Sequence, residues 1–304
     1  MNRGTRELVK YFVRGQWKAL FHRITAPAIF WAWRNPHRDR QTEAIPVHVL
    51  VGRDRFTMAC WMLASWFFVT GKNWRVVLHD DGTLQPSCRH LLDRLAIQYH
   101  LISRQEADRR MASALSAMPL CAEHRQRSPF GLKLYDVSVM SSHDRYIVLD
   151  SDLLFFRTPD AIFEWCSGEK RGCFFMKDVI EVCQCSPAET QSRLGFKVWG
   201  KVNAGLALIE REAVNLSRLE YFMSSFNLLS KNLWMVEQTL YALLASEHKV
   251  GGTLPEEYEV SLSERAMSGS VMRHYVGAIR HLFYSEGLGR MRSRILADAR
   301  RKCP

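Results

Sequence analysis

Residues 145–156 read Arg-Tyr-Ile-Val-Leu-Asp-Ser-Asp-Leu-Leu-Phe-Phe, an apolar run interrupted by Asp150 and Asp152. The first five residues have the character of a buried strand, and the apolar pattern resumes immediately afterwards. Two carboxylates are thus delivered to the edge of a core. Ionised carboxylates taken out of water need a cation or a set of donors to satisfy them. Paired carboxylate oxygens suit Mg²⁺ or Mn²⁺, which bind through one or two carboxylates together with a substrate's phosphates. A dication held there stabilises negative charge building on a departing phosphate. Asp150 and Asp152 are therefore candidate metal ligands and catalytic groups, with Ser151 between them on the ligand side.

The rest of the chain is consistent with a strand of that kind. Short apolar runs at 47–51, 75–79, 145–149, 172–176 and 204–209 predict strands, and the patterns over 56–70, 87–99 and 236–246 predict helices. Strands alternating with helices predict an α/β fold with a mostly parallel, Rossmann-like central sheet flanked by helices. Ligands of such sheets bind beyond the carboxyl ends of the strands. With 304 residues, 47% of them hydrophobic, the chain can bury a full core.

The net charge of +11 raises the question of a nucleic-acid partner. Residues 1–45 hold nine Lys/Arg against three Asp/Glu, and residues 290–304 hold six against one, so the two ends carry all of it. A neutral central domain excludes a basic nucleic-acid platform. The expected division is a basic amphipathic segment over 1–45, a main domain over 46–290 and a basic tail over 291–304, with a polar linker at 35–44. In the first segment Leu8, Phe12 and Phe21 fall near one helical face, while Arg3, Lys10, Arg14 and Lys18 recur on another. Such a segment either packs its apolar face on the main domain or lies, through residues 1–34, on an anionic membrane surface. Trp17, Phe30, Trp31 and Trp33 are then candidate interfacial anchors.

No apolar run approaches the ~18–20 residues a membrane span needs, and no cleavable leader is expected. Eight cysteines in a chain of this length make no dense disulfide framework. A reducing cytoplasmic location, peripheral to the inner face of a membrane, is the expectation. Cys166, Cys173, Cys183 and Cys185 are expected as thiols, because Cys183-Gln-Cys185 lacks zinc-knuckle spacing.

Several segments, in order, resemble the bacterial GT-A glycosyltransferases of family 8, the glycogenin and galactosyltransferase-like group. The resemblance runs from about Pro46 to Arg290. Val47-His-Val-Leu-Val-Gly-Arg53 is similar to the first strand and nucleotide loop, and Val76-Val-Leu-His-Asp-Asp-Gly-Thr-Leu84 to the second strand with its nucleoside-contacting acid. Leu132-Lys-Leu-Tyr-Asp136 resembles the lysine-bearing helix, and Asp150-Ser-Asp152 the metal-binding Asp-x-Asp. Val202-Asn-Ala-Gly-Leu206 resembles the acceptor-side loop, Glu237-Gln238 the acidic-Gln pair, and Arg273-His-Tyr-Val-Gly-Ala-Ile-Arg280 the late His-x-x-Gly-x-x-Lys element.

The resemblance implies a metal-dependent transferase using a nucleotide diphosphate donor, UDP-sugar favoured, and a glycan or lipid-linked acceptor. It implies Mn²⁺ or Mg²⁺ on Asp150, Asp152 and His274. Val51, Arg53 and Asp81 would meet the nucleoside, Lys133 and Arg280 the diphosphate, and Ser151 and Gly277 the donor. Asn203, Gly205 and Gln238 would line the donor sugar and acceptor. Arg280 stands in place of the usual Lys and Ala204 in place of the usual hydroxyl residue. The family retains anomeric configuration, whereas Glu237 acting as a general base would favour inversion. Two other readings share this architecture. One is a non-catalytic GT-A module that binds nucleotide sugar or glycan at a membrane surface. The other is a nucleotidyltransferase, which would require a Gly-rich phosphate loop that is not present.

Overall fold

The computed structural model describes residues 3–302, with side chains from Thr5 onward. Met1, Asn2, Cys303 and Pro304, which belong to the two basic ends, lie outside the described residues. The strands are β1 Thr42–Val51, β2 Asn73–Asp80, β3 Tyr99–Ile102, β4 Arg145–Leu149, β5 Leu153–Phe155, β6 Cys173–Lys177, β7 Val202–Glu210, β8 Gly251–Thr253, β9 Tyr258–Val260 and β10 Met272–His274. Seven form the main sheet in the order β3-β2-β1-β4-β7-β6-β8. β3, β2, β1 and β4 are mutually parallel, β7 runs antiparallel to both β4 and β6, and β8 is parallel to β6. The α/β class and the mostly parallel sheet flanked by helices are as expected. The reversal at β7 sets its amino end beside the carboxyl end of β4, since Leu149 pairs with Leu206.

Val47, Val49 and Val51 point from β1 into the core against the helix Phe56–Thr70, which is buried along nearly its whole length. A helix apolar all round needs partners on every side. Here it packs against β1, β5 and the terminal helix Gly289–Lys302, and each fully buried large side chain contributes about 1.5–3 kcal/mol. It ends at Gly71, whose φ of 63° supplies the left-handed C-cap.

A second sheet, β5-β10-β9, is made of three-residue strands and was not anticipated. His274 on β10 pairs with Leu153, the first residue of β5, across an antiparallel ladder. The alternate residue of β10, Arg273, points the other way and is fully buried, 3.9 Å from Glu259 and 3.6 Å from Glu286.

Two segments differ from expectation. The helix expected over 87–99 ends at Arg94, because Ala96 takes φ 51° and the chain turns into β3 at Tyr99. The expected linker at 35–44 is anchored: Asn35 is buried and donates to Asn73 Oδ1 at 3.1 Å, and β1 already begins at Thr42. The N-terminal segment is a helical hairpin, Arg3–Val13 and Trp17–Thr25, turning at Gly15 with φ 65°. Its second helix packs on residues 283–288, where Arg23 donates to the Tyr284 hydroxyl, and Arg292 of the terminal helix donates to Thr25 Oγ1. The two basic ends thus sit together, and Ile29, Phe30 and Trp33 continue from the hairpin into the main core.

Candidate active site

β1, β2 and β4 end at Val51, Asp80 and Leu149, which places Arg53, Asp81 and Asp150 along one edge of the sheet. Because β7 is reversed, Asn203 and Gly205 start at that same edge; the Asp150 amide donates to the Gly205 carbonyl at 2.7 Å. The chain crosses from β4 to β5 through Asp150-Ser151-Asp152, and the Tyr275 amide donates to the Asp152 carbonyl at 2.9 Å, holding the end of β10 over that crossing.

These constraints bring three ligand-type side chains together: ligand atoms of Asp150, Asp152 and His274 all lie within 4.8 Å of one another. His274 Nε2 is 3.2 Å from Asp152 Oδ1 and 3.7 Å from Asp150 Oδ2. Asn203 fixes the imidazole. Its Nδ2 donates to Asp178 Oδ2 at 2.6 Å and its Oδ1 accepts from the Gly205 amide at 3.0 Å, so the amide has one orientation. The same Oδ1 lies 2.9 Å from His274 Nδ1, which must therefore carry a proton. Nε2 is left facing the carboxylates, and an imidazole lone pair 3.2 Å from a carboxylate oxygen needs a proton or a metal cation to share. Two carboxylates and an imidazole with its second nitrogen hydrogen-bonded form a donor set that can hold a divalent metal ion.

Gly205 is required by this packing. A Cβ there would stand 2.4 Å from His274 Nδ1 and Cε1.

Asp152 is buried, which opposes its ionisation, but His274 and Arg280 more than offset this and hold its carboxyl well below the usual carboxylate range. Arg280 donates from Nε to Asp152 Oδ2 at 2.8 Å. Gly277 opens the single turn Gly277–Ile279 that leads to Arg280.

Lys133 occupies a π-helical turn, Leu132–Asp136, a form of helix that recurs at functional sites. The buried Arg125 clamps that turn through paired hydrogen bonds to Asp136 at 2.5 and 2.9 Å. Lys133 Nζ is itself buried and lies 2.7 Å from Asp150 Oδ1, 3.0 Å from the Ala204 carbonyl and 3.0 Å from Glu237 Oε1. Two of its protons go to Asp150 and the Ala204 carbonyl, and Glu237 faces it as an ion-pair partner. Glu237, on the helix Leu233–His248, is buried; burial pushes its carboxyl up to about 7, with Lys133 pulling the other way. Gln238 is buried beside it, its Oε1 3.4 Å from the Ala204 amide.

On the side of β1 and β2, Asp81 Oδ1 accepts from the Thr83 amide at 2.9 Å and from its hydroxyl at 2.6 Å, while the Arg53 amide donates to that hydroxyl at 2.9 Å. Val51 joins the arrangement through its carbonyl, which accepts from the Asp81 amide at 3.1 Å. Gly52 lets the Asp81 carboxylate lie against the backbone, since a Cβ would come within 1.9 Å of Asp81 Oδ2. Ser151 is half-buried in the turn between the two aspartates, and the Arg53 side chain is largely exposed.

Asp178, just beyond β6, escaped the sequence reading; its only signal is an acid directly following a strand that ends at this edge. The Cys183 and Cys185 sulfurs, 3.4 Å apart, lie on the loop after Asp178, and the seven described cysteines are free thiols.

Neither a protein-family model nor a curated protein sequence matches the chain. Solved structures do. The galactosyltransferase LgtC, in complex with donor and acceptor sugar analogues, aligns over 84% of this chain and 96% of its own with a TM-score of 0.53 and 10% identity. Mouse xyloside xylosyltransferase 1 aligns over 77% of this chain and 98% of its own, with a TM-score of 0.51 and 13% identity. The glycosyltransferase GlyE of Streptococcus pneumoniae aligns over 86% of this chain, which spans 64% of GlyE, with a TM-score of 0.51 and 13% identity. The strand order, the crossing at Asp150-Ser151-Asp152 and these three similarities place the chain among proteins with the GT-A fold.

Proposed function

We propose that the protein is a metal-dependent glycosyltransferase that moves a hexose from a nucleoside diphosphate donor, UDP-sugar in the first instance, to a glycan or lipid-linked acceptor. The convergence of Asp150, Asp152 and His274 at the carboxyl edge of a GT-A sheet carries this reading. Bound there, Mn²⁺ would supply Lewis-acid stabilisation to the departing diphosphate. Asp150 and Asp152 ligate, and His274 presents Nε2 because Asn203 holds Nδ1. Arg280, one-quarter exposed and hydrogen-bonded to Asp152, is the cation left to meet the diphosphate; its two-pronged geometry suits phosphate oxygens. Lys133 balances Asp150 and Glu237 from below instead of touching the donor. Val51, Arg53 and Asp81 receive the nucleoside, Ser151 and Gly277 flank the donor, and Gly205 and Gln238 shape the sugar side. Retention of configuration is the preferred stereochemistry. Glu237, the one acid that could serve as base for inversion, is buried and turned toward Lys133.

The alternative is a module that binds nucleotide sugar without turning it over. Intact ligands at all three metal positions disfavour it. The experiment is release of nucleoside diphosphate from a panel of UDP-hexoses with Mn²⁺, with and without chelator. Chelator-sensitive release from one donor is expected. Tight binding of a UDP-sugar with no release, whatever acceptor is added, would establish the module instead.

A further inference from the structure

Among the described residues, seven of the fourteen exposed large hydrophobic side chains fall between Val9 and Trp31. On the helix Trp17–Thr25 they are Trp17, Phe21 and Ile24, at i, i+4 and i+7, which makes one outward stripe; on Arg3–Val13 they include Phe12 and Val13. Trp17 and Phe21 are 59% and 60% exposed. The inner faces are already occupied: Tyr11 and Ala19 are buried, as are Phe30 and Trp33, which are thereby removed as surface anchors. Phe12 and Trp17 meet edge to face with ring centroids 5.1 Å apart, so the stripes of the two helices form one patch. A helix of a water-soluble hairpin turns its apolar stripe inward; this one turns it outward after its inner face is satisfied.

The exposed charges of the hairpin are basic, its one acid, Glu7, being paired with Arg23. Arg6, Lys10, Arg14 and Lys18 are exposed along the hairpin. Against it runs a groove of about 370 Å³ between Trp17–Thr25 and Gly289–Lys302, lined by His22, Arg292 and Arg300 and by no acidic side chain. An apolar stripe with aromatic residues, rimmed by cations, is complementary to a bilayer with anionic headgroups: the rings enter the interface and the cations meet the phosphates. A protein partner would have to bring acids for these cations as well as an apolar face.

The hairpin is also joined to the candidate active site by packing. The second hairpin helix packs on residues 283–288, which directly follow the turn that carries Arg280, the partner of Asp152.

We infer that the helical hairpin 3–25, with the terminal helix Gly289–Lys302, is a docking surface for anionic membranes that sets the mouth of the metal site at the bilayer. Docking stands on the surface alone. The consequence for the acceptor, that it is anchored in or emerges from that bilayer, rests on the glycosyl-transfer reading.

The test is co-sedimentation of the full chain with vesicles of phosphatidylcholine alone and of phosphatidylcholine mixed with phosphatidylglycerol, over a range of salt. Binding to the anionic vesicles only, weakened by salt, is expected. Trp17→Ser with Phe21→Ser should abolish it, and each of Lys10→Gln, Arg14→Gln and Lys18→Gln should weaken it roughly fivefold. All of these positions are exposed, so circular dichroism should show an unchanged fold. Absence of binding to anionic vesicles by the folded protein overturns the inference. So does a lipid-free dimer, seen by light scattering, that Trp17→Ser with Phe21→Ser disperses, because the patch would then be an interface between copies. Vesicle binding together with failure to bind any nucleoside diphosphate would leave the docking surface intact and remove only the acceptor argument.

Discussion

Asn203 holds His274 Nδ1 at 2.9 Å with the same oxygen that accepts the Gly205 amide, and through its other end it binds Asp178. One asparagine thereby decides which imidazole nitrogen faces Asp150 and Asp152. The relay Asp178–Asn203–His274 is the outer support of the candidate metal site, and outer-sphere partners of this kind are typically worth 10- to 100-fold in metal affinity.

Replacing Asn203 by Ala should therefore weaken Mn²⁺ binding by roughly 10- to 100-fold while leaving the three ligands in place. Titration followed by the electron paramagnetic resonance of free Mn²⁺ measures this directly. Asp178→Asn should produce a smaller loss in the same direction, because its acceptor oxygen becomes an amide that can still accept. Unchanged Mn²⁺ affinity in Asn203→Ala would mean that His274 takes no part in binding.

Gly205→Ala tests packing, not chemistry. The added methyl must displace the His274 ring, since its Cβ would stand 2.4 Å from ring atoms. Overpacking of this kind costs typically about 1–3 kcal/mol. A drop in the thermal midpoint together with loss of Mn²⁺ binding is the expected pair of results.

Lys133 is the counter-charge of two carboxylates in a buried place. Lys133→Met keeps the volume and removes the charge, leaving Asp150 without its buried counter-charge while Glu237 takes up a proton; breaking a buried pair in this way costs roughly 3–5 kcal/mol. Urea unfolding at neutral pH should show that loss. Adding Glu237→Gln should change this loss little at neutral pH, because Glu237, no longer drawn down by Lys133, is already protonated there.

Glu237 also gives the metal-free protein a pH dependence of definite sign. Its folded carboxyl is raised to about 7 from an ordinary 4.5, chiefly by burial. Between those values the native state keeps a proton that the unfolded chain has released, so stability falls as pH rises through the interval, by up to roughly 3 kcal/mol. Asp152 acts in the opposite direction and at lower pH: its folded value is depressed, so its contribution is lost only as pH falls below the usual carboxylate range. The difference between wild type and Glu237→Gln, measured by urea unfolding from pH 5 to 8, should carry the Glu237 slope alone.

The parts of this site that were legible in the sequence are those made by continuous segments. β4 and the helix Phe56–Thr70 fall where the apolar runs put them, since a five-residue run ending in Asp and a fifteen-residue run closed by Gly71 leave little choice. The helix expected to 99 was overrun because the apolar spacing of Leu92, Leu95 and Ile97 continues past the turn at Ala96. β9 and β10 are three residues each, too short to show a period, yet β10 is the strand that brings His274 to Asp152. His274 came into view by resemblance alone, and its dependence on Asn203 and Asp178 could not, because that relay joins residues 71 and 25 positions apart. Lys133 was legible as a cation for the site, while its direction, inward to Asp150 and Glu237, is set by the π turn that the Arg125–Asp136 pair clamps.

Calorimetric titration of UDP, GDP, TDP and CDP into the protein, with and without Mn²⁺, and repeated with Asp152→Ala, is the most direct test of the donor site. One nucleoside diphosphate should bind only with Mn²⁺, and that binding should vanish in Asp152→Ala while circular dichroism shows the fold intact. A folded wild-type protein that binds none of the four with Mn²⁺, or that binds one equally well without metal and in Asp152→Ala, would contradict a donor site built on Asp150, Asp152 and His274.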